Sequence, residues 1–368
     1  MFERRLYFHV DWLLLGAILI LCGIGVVMIY STTYITTATG GRAASQVWVQ
    51  SYALGIGLVA LLVCLAIDYR VFAEHSLFLY GGLLVLLIFV LLKGDTQMGG
   101  QRWIPIGRFH LQPSEFARIG VALLLAMYFG ENRRGAKNTS DLILGGIFTA
   151  IPLILIAKQP DLGTAVTLLP VFVGVAFLAG LRLRLLGVLA IAAVLASGIA
   201  WKFALKDYQR SRIVTFLDPE QDPRGAGYQT IQARVTVGSG GLTGKGFRNG
   251  TQGQYKFLPV AHNDFIFSVL AEEQGFVGVL TALGLYLFVI LRSLEAARLA
   301  KDRLGAYLVG GIISGFAFQT IYNVAMSVGL APVKGITLPL MSYGGSSLIA
   351  TLAAFGLILN VRMRRFTN

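Results

Sequence analysis

The sequence predicts an all-α polytopic membrane protein with ten transmembrane helices, both termini cytoplasmic and one long extracytoplasmic loop between the seventh and eighth helices. Three observations carry that prediction. Of 368 residues, 55% are hydrophobic and only 13% charged, about half the charge that a soluble globular surface carries. The apolar residues gather into ten runs, each close to the roughly 20 residues that a hydrocarbon core about 30 Å thick requires. The 31 Lys and Arg punctuate the gaps between runs with a bias toward one side. This composition excludes a soluble enzyme and a disordered chain. The 44 Gly follow no period, which excludes collagen, and no heptad survives the apolar runs. Basic residues spread along the chain, instead of clustering on one solvated face, exclude nucleic acid as a partner.

In chain order the runs lie near 11–30, 47–67, 76–92, 113–130, 142–157, 163–180, 185–203, 264–291, 304–326 and 341–361. The first follows Arg4 and Arg5, yet it is as long as a full span and Ser31-Thr32-Thr33-Tyr34 is a poor cleavage site, so it reads as an uncleaved helix. The fifth is short and ends at Gln159-Pro160-Asp161. Its pairing with the sixth is decided by charge: the basic segments 132–137 and 182–184 must share a side, which requires two spans between them. With the amino terminus inside, the inner segments hold fifteen Lys and Arg and the short outer segments six. Residues 204–263 form the long hydrophilic stretch, whose basic residues the rule does not govern because long loops translocate regardless of charge. Cys22 and Cys64 lie inside apolar runs and form no disulfide framework. The chain reads as one membrane domain, 1–368, with 204–263 a loop within it.

Alternation of the spans brings four polar patches to the outer side: 99–103 leading into 112–118, 159–164, 262–265 and 338–347. Ionisable groups at the mouth of a span face the bundle interior or a watered cavity, so the patches imply one outward-facing polar cavity. Glu115 and Arg118, at i and i+3, form an ion pair, structural or functional. Asp161 follows Pro160 and suits a helix cap. Glu272 and Glu273 lie about 12–14 Å deeper than Asp264 along a helix and suit hydrogen bonds to neighbouring helices. Asp264 has two readings. Water on one side and Phe265-Ile266-Phe267 on the other suit a general base, and its place where the chain re-enters the membrane suits an N-cap. The Gly-rich stretch 238–246 lacks the Walker spacing. Its amides with Lys245, Arg248 and Lys256 hold a lipid pyrophosphate in one reading and form a flexible surface loop in the other. No set of residues has zinc spacing.

Together, Gln101-Arg102-Trp103, Pro113-Ser114-Glu115-Phe116-Ala117, Gln159-Pro160-Asp161-Leu162-Gly163-Thr164, the 238–246 glycines, His262-Asn263-Asp264-Phe265 into Glu272-Glu273-Gln274-Gly275, and Pro332-Val333-Lys334-Gly335 into Ser342-Tyr343-Gly344-Gly345 resemble the SEDS family (shape, elongation, division and sporulation) over the whole chain and in order. The likeness is to its elongation-type more than its division-type members. It implies a ten-helix peptidoglycan glycosyltransferase that polymerises lipid II on the outer face of the bacterial cytoplasmic membrane, beside a class B penicillin-binding protein that crosslinks the strands. Asp264 matches the family's catalytic aspartate. Arg102, Glu115, Arg118, Asp161, Lys245 and Ser342 are the candidate substrate-binding residues, with Arg102 and Lys245 first for the pyrophosphate charge. No cofactor is called for; a divalent cation such as Mg2+ at the pyrophosphate stays open. Two positions depart from the family pattern. Arg118 stands where Lys is usual, and an arginine keeps its proton; Asn263 stands where Thr is common. The rival functions are a lipid II flippase, which also needs a polar cavity, and a non-enzymatic scaffold for the transpeptidase.

Overall fold

The computed structural model describes residues 9–38, 43–97, 100–107, 109–131, 139–181, 214–218, 226–254, 257–258 and 261–366, with isolated positions 184, 185, 187, 191, 198 and 210. The apolar runs form helices because lipid offers no partner to a backbone N–H or C=O, so each must be satisfied within its own segment. Helices α1 (Trp12–Ala38), α2 (Ala43–Ala66), the short α3 (Tyr69–Glu74) and α4 (Ser76–Lys93) are followed by α5 (Ala117–Glu131), α6 (Thr139–Lys158) and α7 (Leu162–Leu178). Later come α8 (Ala226–Ser239), the single turn α9 (Thr251–Gln254), α10 (Ile266–Arg298), α11 (Arg303–Ser327) and α12 (Gly345–Met363). Among the described residues seven helices, α1, α2, α4, α6, α10, α11 and α12, are long and apolar enough to cross a membrane. The runs at 113–130 and 163–180 fall on the shorter α5 and α7. The run at 185–203 lies, isolated positions apart, outside the described residues.

Helix α12 is buried over almost its whole length and packs against α2, α10 and α11, while α11 also packs on α5 and α7. Outward-facing Leu13, Ile20, Val59, Phe78, Phe89 and Phe288 stay exposed, as a lipid-facing surface requires.

Two features correct the all-α expectation of helices joined by irregular loops. Between α4 and α5 lies a three-stranded antiparallel sheet, β1 (Asp95–Gln97), β2 (Gly100–Ile106) and β3 (Phe109–Leu111), with Ile104 opposite Leu111 and Ile106 opposite Phe109. The aromatic and β-branched residues of Trp103-Ile104-Pro105-Ile106 favour a strand, and Gly107, at φ 61°, turns it.

The second feature is in the hydrophilic stretch. Its residues 226–254 form a folded hairpin, α8 to α9, pressed against a break in α10. Gly275 interrupts α10 at φ 64°, ψ −163°, a conformation essentially restricted to glycine. The break frees backbone groups that the hairpin satisfies: Lys245 N and Gly246 N donate to Glu272 O and Glu273 O, and Phe276 N and Val277 N donate to Gly241 O and Leu242 O. Glycine is needed where backbone meets backbone, since a Cβ on Gly240 would sit 1.9 Å from Ala271 O and one on Gly244 2.2 Å from Glu273 O. Irregular backbone at this depth is tolerated because protein covers it.

Ion pairs close the opposite end of the bundle. Asp11, at the start of α1, accepts from Arg292 and Arg362 at 2.9 Å each, joining the ends of α10 and α12, and Asp302 accepts from Arg70. The buried Asn360 amide donates to Cys64 O, Leu65 O and Ile67 O at the end of α2.

Candidate functional site

Strand β2 carries Arg102 over the turn between α6 and α7. Its Nε donates to Gln159 O at 3.1 Å and its Nη2 to Pro160 O at 2.7 Å, with Nη1 3.7 Å from Asp161 Oδ1. Asp161 is the helix cap expected, accepting from Thr164 N. It does more than cap: its Oδ2 accepts from Gln112 Nε2 at 2.9 Å. Gln112 N in turn donates to Ser346 Oγ, whose hydroxyl donates to His110 O. The sheet, the α7 start and the α12 start are thereby tied together by buried polar contacts.

Glu115 and Arg118 form the expected pair, 2.6 Å apart and largely buried. Arg118 Nη1 also donates to Gln319 Oε1 on α11, and Gln319 Nε2 donates to Thr337 O at 2.9 Å. Beside the pair lies a cavity of about 30 Å³ lined by Ile119, Ile312, Phe316 and Phe355 among others, room for about one water. A buried charge pair needs the hydrogen bonds that its partners supply, and Gln319 supplies one.

Asp264 lies half-buried in the turn before α10. The cap reading is corrected: α10 begins at Ile266 with Phe265 at the cap position, because residues 261–265 remain in turns and the helix starts one residue too late for Asp264 to cap it. The loop is held elsewhere. Asn323 of α11, fully buried, donates from Nδ2 to Asp264 O at 2.9 Å and to Ile336 O at 2.7 Å. A Cβ at Gly335 would lie 3.4 Å from Asp264 Oδ2, and one at Gly163 2.9 Å from Lys334 O. The segment 334–337 is therefore a strap that passes beside the Asp264 carboxylate, the start of α7 and the Gln319–Asn323 face of α11. Through it Asp264, Asp161, Arg102 and the Glu115–Arg118 pair belong to one end of the bundle.

His262 and Ser342 sit behind Asp264. Tyr343 N donates to His262 O, and the two rings meet edge-on at 5.6 Å. Burial lowers the His262 pKa and keeps the ring neutral. Ser342 is buried, its Oγ accepts from Leu338 N at 2.8 Å and its carbonyl from Gln50 Nε2, so its hydroxyl closes the turn of the 338–342 segment.

Lys245 lies with the hairpin. Its Nζ donates to Glu272 Oε1 at 2.7 Å and to Thr251 Oγ1 at 3.0 Å, and the same carboxylate accepts from Thr251 N and Gln252 N. Glu273 accepts from Ser31 on α1. Both glutamates bond neighbouring segments as expected. In the glycine-rich stretch the Lys245 and Gly246 amides are consumed by α10 carbonyls, so the loop is docked against α10 and not a free surface loop; Lys256 lies outside the described residues.

Gln319, Asn323 and Gln50 escaped the sequence reading, and Gln112 entered it only as the first residue of the 112–118 patch. A signal existed for two of them, since Gln319 and Asn323 are polar residues four apart on one face of an apolar span, the spacing of helix-surface neighbours in a setting where polar groups find partners.

Comparison with known proteins places the chain as a whole in a family. The family model for FtsW, RodA and SpoVE, described as "Cell cycle protein", matches residues 11–366. The chain belongs to this family. It is the SEDS family that the motifs resemble. The chain is 39% identical over 340 residues to peptidoglycan glycosyltransferase MrdB of Escherichia coli (strain K12), covering 92% of this chain and 91% of that protein. It is 36% identical over 356 residues to a probable peptidoglycan glycosyltransferase FtsW of Trichlorobacter lovleyi, covering 95% and 92%. A chain solved in work described as "Structural coordination of polymerization and crosslinking by a peptidoglycan synthase complex" superposes with a TM-score of 0.81 at 35% identity, covering 98% of this chain and 99% of that one. The rod shape determining protein RodA of Thermus thermophilus superposes with a TM-score of 0.72 at 30% identity, covering 98% of each chain. This SEDS chain therefore has a RodA-like, nearly all-helical fold of an integral membrane protein.

Proposed function

We propose that this SEDS protein is a peptidoglycan glycosyltransferase that polymerises lipid II during cell elongation, with Asp264 as general base. The observation that carries the assignment is the Asp264 carboxylate. It is half-buried at the polar end of the bundle, lies against Gly335, and belongs to a chain whose relatives are named peptidoglycan glycosyltransferases. Asp264 takes the proton of the acceptor sugar's 4-hydroxyl. The oxygen attacks the anomeric carbon of the donor, whose bond to phosphate breaks, and undecaprenyl pyrophosphate leaves with the electron pair. An α-linked donor and a β-linked product require inversion, hence one displacement and one base.

Cationic groups offset the charge of the leaving group. Arg102, whose side chain is 27% exposed, takes this part, with Arg118 deeper. Lys245 acts through its pair with Glu272, by holding the hairpin. Glu115, Asp161 and Ser342 keep the walls in place around the sugars. The chain spans the cytoplasmic membrane ten times with both termini inside, and its site faces outward. The bias of the basic residues supports that orientation. Polyprenyl tails stay in lipid while the sugars meet at the polar end. A class B penicillin-binding protein is the crosslinking partner, in keeping with the synthase complex among the structural neighbours.

The test is polymerisation of labelled lipid II by purified protein in detergent, with and without such a partner. Wild type makes long glycan chains and Asp264→Asn makes none while remaining folded. Polymer from both would remove Asp264 as the base, and none from either, partner included, would move the function to lipid II translocation.

A further inference from the structure

The geometry points to Asn323 as the positioning residue that sets Asp264 for reaction, by clamping the Asp264 turn and the 334–337 strap to the same point on α11. The inference rests on Asp264 being the base. Asn323 has no exposure, and the two hydrogens of its amide go to two carbonyls from segments far apart in sequence, Asp264 O at 2.9 Å and Ile336 O at 2.7 Å. The orientation of the amide is forced. Turned the other way, it would set an oxygen against two carbonyl oxygens, whereas in this orientation its own Oδ1 is left without a partner among the described residues. A buried acceptor left unpaired is costly, and the cost is accepted here at a side chain that joins the two segments flanking the carboxylate.

The strap is held at a second point one turn away, where Gln319 donates to Thr337 O. That bond fixes the strap without touching the Asp264 turn, whereas Asn323 ties turn and strap together beside the carboxylate, where a Cβ added to Gly335 would lie 3.4 Å from Asp264 Oδ2. A general base displaced by an ångström loses rate without losing substrate affinity. Asn323 thus acts on the chemical step and leaves binding largely intact.

Asn360 supplies the matched control. It is also fully buried and also binds backbone carbonyls with its amide, but at the opposite end of the bundle. The experiment compares Asn323→Ala, Asn360→Ala and Asp264→Asn in steady-state polymerisation of labelled lipid II, with rates normalised to folded protein. Asn323→Ala is expected to lower kcat by about tenfold or more with KM within about twofold, while Asn360→Ala keeps kcat per folded molecule within about twofold and loses only stability. Should Asn323→Ala not be recovered folded, Asn323→Asp, of the same size but with no amide donors, is measured in its place against the same expectation. Wild-type kcat in the Asn323 variant, or an equal fall in both asparagine variants, overturns the inference. If Asp264→Asn polymerises like wild type, it is the base assignment that fails. A dead Asp264→Asn beside a fully active Asn323 variant removes only the positioning role.

Discussion

Replacing Lys245 with Met separates two roles for that residue, a cation for the leaving group and a lock on the hairpin. The Glu272 side chain has no exposure and accepts from Lys245 Nζ at 2.7 Å, Thr251 N at 2.9 Å, Thr251 Oγ1 at 3.1 Å and Gln252 N at 3.2 Å. Removing one partner of a buried pair costs about 3–5 kcal/mol. Four donors remain on Glu272, Ser239 Oγ at 3.5 Å among them, and the Lys245 side chain is 29% exposed, which reduces the expectation to about 2 kcal/mol of local stability. The hairpin closes on α10 through Lys245 N, Gly246 N, Phe276 N and Val277 N. Their hydrogen exchange reports its opening, and about 2 kcal/mol is about thirtyfold faster exchange. Amides at the far end, such as Gly305 N on Asp302, keep their protection. Adding Glu272→Gln removes the stranded charge while keeping an acceptor, so the double variant regains more than half of the loss. Exchange within about twofold of wild type at all four amides would refute the lock, and a fall in kcat without any change in exchange would restore Lys245 to the pyrophosphate.

Further outcomes follow from the same geometry. Gly275→Ala places a Cβ 2.2 Å from Gly244 N at a φ of 64°, so it costs about 3 kcal/mol or more and opens the same four amides, measured by the same exchange. Arg102→Lys cannot reach both Gln159 O and Pro160 O, which leaves a carbonyl unpaired for about 1–3 kcal/mol and lowers the thermal midpoint and polymerisation together; unchanged values in both assays would remove the clamp. His262 carries a pKa lowered by burial. The unfolded chain therefore binds the proton first, and stability that is complete above about pH 6.5 declines as pH falls toward the folded value. His262→Phe, which keeps a ring against Tyr343, should flatten that slope in thermal unfolding between pH 7 and pH 5.

Features of this protein with a local cause were legible in the sequence. Apolar runs long enough for a bilayer predicted helices, nine of the ten runs fall on described helices, and a three-residue spacing on one helix face predicted the Glu115–Arg118 pair. Asp161 caps because its position before a helix start is enough. The strand pattern in 101–106 was equally local, yet the surrounding apolar runs obscured it. Other features depend on residues whose separation along the chain carries no signal. Lys245 meets Glu272 across 27 positions and Asn323 meets Asp264 across 59, and neither pairing follows from periodicity. The docking of the glycine-rich turn on the broken α10 required knowing which backbone groups the break set free. Spans follow from the solvent that each segment meets, which composition records; the contacts that place Asp264 follow from which polar groups remain unsatisfied once the helices pack, and that is settled only in three dimensions.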